Sequence, residues 1–299
     1  MVKKPVKYSV VDAFTDTPFK GNPAAVCLLE EERDEEWLKA VAREFNTPVT
    51  CYLTPIQDSE KNTQSNPRFR LRWFTTVAEV ELCGHATLAS AHVLFASGLV
   101  KSSIIEFLTL SGILIARKIP AREKLDGSRL LNGAAEEDFS IELDFPTFSV
   151  TECDPTEIPS IPLTLNGASM INIKKTAIGF IIVELPSGQA VADLEPHFDE
   201  LLKCTARGVI ITGIAPHGSG FDFFSRFFCP KWGVNEDPVC GSAHCALAPY
   251  WSTKLGKSDF LAYMASPRGG ILDLHLDEET QRVQIRGKAV TVMEGSLFA

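Results

Sequence analysis

The chain has 299 residues, of which 45% are hydrophobic and 22% charged, and its formal net charge is −9. That length accommodates two domains of ordinary size, each with its own core. The acidic balance disfavours nucleic acid, which requires a basic face, and no stretch approaches 18 uninterrupted apolar residues, so no membrane span is expected.

The N-terminus, MVKKPVKYSVVDAF, pairs lysines with a short apolar run broken by Asp12, which does not make a secretory signal. Residues 8–14 read as a strand and residues 19–23 (FKGNP) as a turn, with Gly21 and Asn22 suited to unusual φ values. Residues 24–29 form a second short apolar strand. Residues 35–45 show helical spacing at Trp37, Leu38, Val41 and Phe45. Residues 50–53 and 68–74 read as strands, with a polar loop at 57–67 between them. In the middle, 104–108, 113–118 and 141–145 are strand-like, and the polar stretch 121–137 suggests a lobe boundary at about 120–150. Strands are expected again at 175–185, 208–214, 222–228, 270–276 and 283–286. Strands outnumber helices without regular βαβ alternation, so an α+β protein with curled, mixed sheets is expected. The division places an N-terminal lobe at 1–125, with the extreme C-terminal strand as a candidate to complete it, and a C-terminal lobe at 140–299.

The eight cysteines, Cys27, Cys51, Cys83, Cys153, Cys204, Cys229, Cys240 and Cys245, contain no CxxC pair. They read as free thiols in a reducing cytosol, and ligand spacing for zinc is absent.

An internal repeat constrains the architecture most. Residues 79–91, EVELCGHATLASA, match residues 236–248, EDPVCGSAHCALA, at Glu79/Glu236, Cys83/Cys240, Gly84/Gly241, Ala86/Ala243, Ala89/Ala246 and Ala91/Ala248. Upstream, Arg72-Trp73-Phe74 resembles Arg226-Phe227-Phe228. Two copies imply duplication into two similar lobes. In each, a loop ends at Cys-Gly and an Ala-rich helix begins. Glycine there lets a ligand reach the backbone, and the unpartnered N–H groups attract carboxylates or phosphates. The helix dipole is expected to favour each cysteine's thiolate. Two buried helices with incidental cysteines are the simpler alternative.

These segments, with VDAFTDTPFKGNPAAVCLL (11–29), FRLRWFTTVAEVELCGHATLASAHVLF (69–95), FDFFSRFFCPKWGVNEDPVCGSAHCALAPYW (221–251), SPRGG (266–270) and VQIRGKAVTVMEGSL (283–297), are similar to the PhzF-like (phenazine-biosynthesis-like) family over nearly the whole chain. The resemblance implies the diaminopimelate-epimerase fold: two pseudo-symmetric lobes, each a curled sheet around a central helix, with an isomerase-type site at their interface. It implies no metal, no organic cofactor, and a homodimer. On the family's pattern, His85, Asp237 and Ser242 fall on active-site positions, Gly84 and Gly241 lie at the helix starts with Ala86 and Ala243 beside them, and Gly21, Asn22 and Pro23 at the cleft mouth. Cys83 and Cys240 fall where diaminopimelate epimerase would place its two acid/base cysteines. A neutral replacement of threonine at Cys240 is the alternative.

The chain departs from the family at Val49, which aligns with its proton-shuttling glutamate. Losing a positioned base lowers rates by about 10²–10⁴-fold. A hydrolase triad using Ser242 lacks a GxSxG elbow. Arg72 and Arg226 pair either with substrate carboxylates or in structural salt bridges, and His92 and His244 read as structural. The expectation is thus a cofactor-independent, cytoplasmic isomerase or epimerase acting on a small anionic metabolite. Its proton carriers would come from Cys83, Cys240, His85 and Asp237, with Ser242 beside them. The rival is a non-catalytic member of the fold that binds a metabolite or a protein.

Overall fold

The computed structural model describes residues 4–56, 66–120, 139–154 and 161–299. The sequence-predicted loop at 57–67 lies almost wholly outside these residues, and the stretch at 121–137 entirely so. The first half runs β1 (Val6–Ala13), β2 (Asn22–Leu28), α1 (Glu35–Phe45), β3 (Val49–Pro55), β4 (Arg68–Phe74), β5 (Glu79–Val80), α2 (Gly84–Ala96), β6 (Ile104–Thr109) and β7 (Gly112–Pro120). Then come β8 (Phe139–Pro146), β9 (Val150–Glu152), α3 (Ile161–Thr164), β10 (Asn172–Thr176), β11 (Phe180–Glu184), α4 (Gly188–Ala192) and α5 (Phe198–Lys203). The chain finishes with β12 (Gly208–Ile214), β13 (Phe223–Cys229), β14 (Val234–Asp237), α6 (Gly241–Leu255), β15 (Asp259–Met264), β16 (Gly270–Asp277), β17 (Arg282–Gly287) and β18 (Ala289–Leu297).

Local signals explain α1. Asp34 accepts the N–H of Trp37 as its N-cap, and Asn46, at φ 50°, ends it in the left-handed conformation. Residues 175–185, predicted as one strand, are instead β10 and β11, because Gly179 at φ 84° turns the chain between them. At the FKGNP turn, Phe19 (φ 67°) and Gly21 (φ 63°) take the left-handed conformation, while Asn22 opens β2. The Asp12 carboxylate, which accepts the Phe19 N–H over 2.7 Å, holds phenylalanine in that strained region.

Pairing runs without interruption from β18 through β1, β2, β3, β4, β6, β7 and β8 to β17, β16, β15, β13, β12, β11, β10 and β9. The β8 strand is the joint, since it pairs with β7 on one edge and β17 on the other. The first stretch curls around α2, which touches β1, β2, β3, β7, β8 and β18; the second curls around α6, which touches β9, β16 and β17.

Both central helices are enclosed along most of their length, surfacing only at Ala96 in α2 and in the last turn of α6, at Thr253 and Lys254. Small residues admit the surrounding strands: Ala86, Ala89 and Ala91 in α2, and Ala243, Ala246 and Ala248 in α6, are fully buried. Hydroxyls inside α2 are satisfied locally, Thr87 donating to the Cys83 carbonyl and Ser90 to that of Ala86. Pro249 lies inside α6 and offers no N–H to the carbonyl four residues earlier. The Phe148 N–H donates to that Cys245 oxygen instead, over 2.8 Å. Among the described residues, no helix is long and apolar enough to cross a membrane.

Candidate active site

The two helix starts meet. The nearest non-neighbouring atom to a β-carbon placed on Gly84 is the Cα of Gly241, and the converse holds. Glycine was expected to open the backbone to a ligand; here it also lets the two halves of the repeat touch. Residues from distant parts of the sequence are thereby collected at one point.

Each copy of the repeat carries the same local device. Cys83 is the N-cap of α2, and its Sγ lies 3.5 Å from Nδ1 of His85. Cys240 is the N-cap of α6, and its Sγ lies 3.2 Å from Oγ of Ser242. His85 and Ser242 are equivalent in the repeat, and each faces its own cysteine. Ser242 is engaged with Cys240 and not with a histidine, so no hydrolase triad forms. Burial lowers the pKa of His85 to about 3, which leaves it neutral, and its Nε2 is enclosed without a partner.

The expected thiolates are a correction. Removal from water pushes both Cys83 and Cys240 well above the ordinary thiol range, and the Asp237 charge adds to this at both. Neither sulfur makes a cap hydrogen bond, and the backbone of Ala86 and Ala243 offsets only part of the rise. Desolvation outweighs the dipole because a helix terminus is worth at most about 2 kcal/mol, whereas burial shifts a pKa by several units. Both cysteines are thiols at neutral pH.

Asp237, at the end of β14, is the group poised nearest neutrality. It keeps some solvent contact, yet the surrounding protein raises its pKa to about 6, against the pull of hydrogen bonds from the Val239 N–H, the Cys240 thiol and Asn22. Asn22 donates through Nδ2 to Asp237 Oδ1 over 2.5 Å. Its neighbours Gly21 and Pro23 flank it where the turn enters β2, and Gly21 donates its N–H to the Gly269 carbonyl over 2.9 Å. Arg268, from the SPRGG segment, clamps this turn through Asp12 Oδ1 (2.7 Å), the Gly21 carbonyl (2.7 Å) and the Lys20 carbonyl (2.9 Å). Met264, which sequence reasoning missed, receives the Cys240 N–H at its sulfur over 2.9 Å. No local pattern signals that contact, because β15 meets α6 only through the tertiary fold.

Val49, at the start of β3, is 5% exposed. It shares the α2-facing side of the strand with Cys51, whose thiol approaches the Ala86 carbonyl in the first turn of α2 at 3.5 Å. Val49 therefore brings no ionisable group to this side of the strand.

The arginines are structural. Arg72 holds Glu79 through two bonds, of 2.7 and 2.6 Å, and Arg226 holds Glu236 through two, of 2.7 and 2.9 Å. Each guanidinium also lies over the ring two residues on: Arg72 over Phe74, at 5.1 Å, and Arg226 over Phe228, at 4.9 Å. His244 is also structural, with Nδ1 on the Cys240 carbonyl and Nε2 near Ser225 Oγ. His92 contacts Thr291 and stacks on Phe139.

All eight cysteines are free, and among the described residues no group of three or more His, Cys, Asp or Glu could hold a metal ion. A separate groove of about 700 Å³ lies beyond Phe14, whose ring approaches Gly241; Ile271, Tyr263, Arg286 and Lys288 line it. Cys83, His85, Asp237 and Cys240 do not line this groove, so chemistry is assigned to the helix starts, where the titratable groups converge.

Two curled lobes that enclose paired helices define the epimerase-like class of α+β proteins. The same fold is seen in a hydroxyproline epimerase from Agrobacterium vitis, solved with trans-4-hydroxy-L-proline (TM-score 0.59, 14% identity, covering 99% of this chain and 92% of that one). The chain belongs to the phenazine biosynthesis-like (PhzC-PhzF) family, whose profile matches residues 11–295. It is 42% identical over 290 residues to an uncharacterized isomerase of Halalkalibacterium halodurans, spanning 97% of each chain. Among solved structures it is similar to a PhzF-family protein of Enterococcus faecalis, with TM-score 0.81 and 33% identity over 99% of this chain and 100% of the other.

Proposed function

We propose that the protein is an isomerase or epimerase that moves a proton on a small carboxylate-bearing metabolite, without an organic cofactor or metal. The observation that carries this reading is the convergence of Asp237, poised near pH 6, with the Cys240 thiol and the Cys83–His85 pair at two abutting helix starts. The name of the H. halodurans relative supports the same class of reaction. Asp237 acts as the base when ionised, and a thiol or Ser242 returns a proton. The backbone N–H groups that open α2 and α6 attract the substrate's carboxylate. Gly21, Asn22 and Pro23 border the site.

One observation favours a second reading, a metabolite-binding or protein-interaction module without catalysis. Val49 supplies no carboxylate to the site. Incubation with a metabolite extract in deuterium oxide, followed by mass spectrometry, separates the two readings. Deuterium incorporated into a carboxylate in an Asp237-dependent manner is the expected result; no labelling of any compound favours the binding module. A homodimer in a reducing cytoplasm completes the proposal, and light scattering at several concentrations tests the dimer.

A further inference from the structure

A part-buried hydrogen bond spanning 215 residues of sequence ends on the proposed acid/base group. Asn22 Nδ2 donates to Asp237 Oδ1 over 2.5 Å and to the Val239 carbonyl over 3.0 Å. The asparagine is 0% exposed, and its Oδ1 is buried with no partner. An unpaired buried acceptor is costly, so this amide is not arranged for its own hydrogen-bonding balance.

The turn that delivers Asn22 is fixed from several sides. Gly21, at φ +63°, could not carry a side chain, because a β-carbon there would fall 2.2 Å from the Ala13 carbonyl oxygen. The Gly269 carbonyl and the Arg268 guanidinium hold the Gly21 backbone. The titratable groups that face Asp237 are Glu236 beside it on β14, Cys229 on β13, Cys83 at the start of α2 and Cys240 at the start of α6. All are acids, and the guanidinium of Arg226 is occupied by Glu236.

We propose that Asn22 is a positioning residue for Asp237: its amide orients the carboxylate against the Cys240 thiol and favours the ionised form from across the interface. This inference rests on the isomerase reading. Asn22 acts on the chemistry through Asp237, whose Oδ1 it shares with the Val239 N–H.

The test is carbon-13 NMR titration of the Asp237 carboxyl in the full-length protein, in the wild type, in Asn22→Leu, which keeps the volume without a donor, and in Asn22→Ala. Loss of the amide donor is expected to move the midpoint from about 6 to about 7, since a hydrogen bond to a charged group is worth about one pH unit or more. Asn22→Ser, which keeps one O–H donor, is expected to fall between. The pH profile of solvent-deuterium exchange should move in parallel. An unmoved midpoint in either folded donor-free variant overturns the proposal. Loss of fold in both also overturns it, by assigning Asn22 a structural role. Absence of exchange by the wild type overturns the isomerase reading instead, and the two failures are therefore distinguishable.

Discussion

Arg226 grips Glu236 through two parallel hydrogen bonds while its third nitrogen donates to the Leu194 carbonyl over 2.5 Å, and the whole side chain is 8% exposed. The equivalent pair in the other lobe, Arg72 and Glu79, is more open, at 24% and 16%. Removing one partner of a buried pair leaves an uncompensated charge, so Arg226→Ala should cost about 3–5 kcal/mol. Arg72→Ala should cost less, because Arg72 is the more exposed of the two arginines and gives up less packing. Denaturant midpoints at constant m measure both; equal losses would contradict the role assigned to burial.

Gly84 and Gly241 leave room for a methyl group at their contact but for little more. A β-carbon on Gly84 would lie 3.4 Å from the Cα of Gly241, and one on Gly241 3.5 Å from the Cα of Gly84. Gly84→Ala should therefore fold with a small loss of stability. Gly84→Val adds two methyl groups at a backbone contact and should cost about 1–3 kcal/mol while forcing the helix starts apart. Calorimetry and cross-relaxation between the two helix starts would show this, and a fully stable Gly84→Val with an unchanged contact would refute it.

Val49 should set a ceiling on the usual family chemistry. The wild type is expected to lack PhzF-type isomerisation, because an isopropyl group can neither accept nor return a proton. Val49→Glu should raise that activity, by up to about 10²-fold or more if the carboxylate reaches the substrate. The buried position raises the new carboxyl's pKa and lowers stability. Chromatographic product assays of both proteins decide the matter; full wild-type activity would mean that Asp237 or a neighbouring group carries the proton alone.

Acid should destabilise the fold steeply. His85, His92 and His244 are held neutral by burial, with pKa values of about 3, 4 and 4 against an ordinary 6.5. A depressed histidine pKa means that unfolding takes up a proton, so this stability is full above about 6.5 and is lost as the pH falls towards 4. Asp237 works the other way: its pKa is raised from 3.8 to about 6, and its contribution is present below 3.8 and lost as the pH rises through 6. For these four groups alone, three uptakes against one release leave about two protons between pH 4 and 6, a contribution to the slope approaching about 2.7 kcal/mol per pH unit. Unfolding free energies across pH 4.5–7 measure it, and a flat profile would be incompatible with three buried neutral histidines.

The Cys83 and Cys240 thiols should alkylate slowly at pH 7 and accelerate only as pH rises beyond the ordinary thiol range, because the thiolate is the reactive form. Mass-resolved iodoacetamide labelling checks this. Rapid modification of either cysteine at neutral pH would restore the thiolate that the helix dipole alone suggested.

Local patterns were enough to define α1 at residues 35–45, β4 at 68–74 and β12 at 208–214, because caps, alternation and helical spacing act within a few residues. The repeated Cys-Gly-x-Ala blocks likewise revealed two equivalent helix starts, and the Arg72/Arg226 match foreshadowed paired ion bonds. The hairpin hidden within 175–185 was not legible, since a single Gly179 carried its turn, and β15 lacked a decisive local signal. Three features belong to the tertiary structure alone: the contact of Gly84 with Gly241, the bond from Asn22 to Asp237, and the burial that keeps both thiols protonated. Sequence patterns report forces between neighbours along the chain, whereas desolvation and lobe-to-lobe contact depend on how tightly distant segments close around one another.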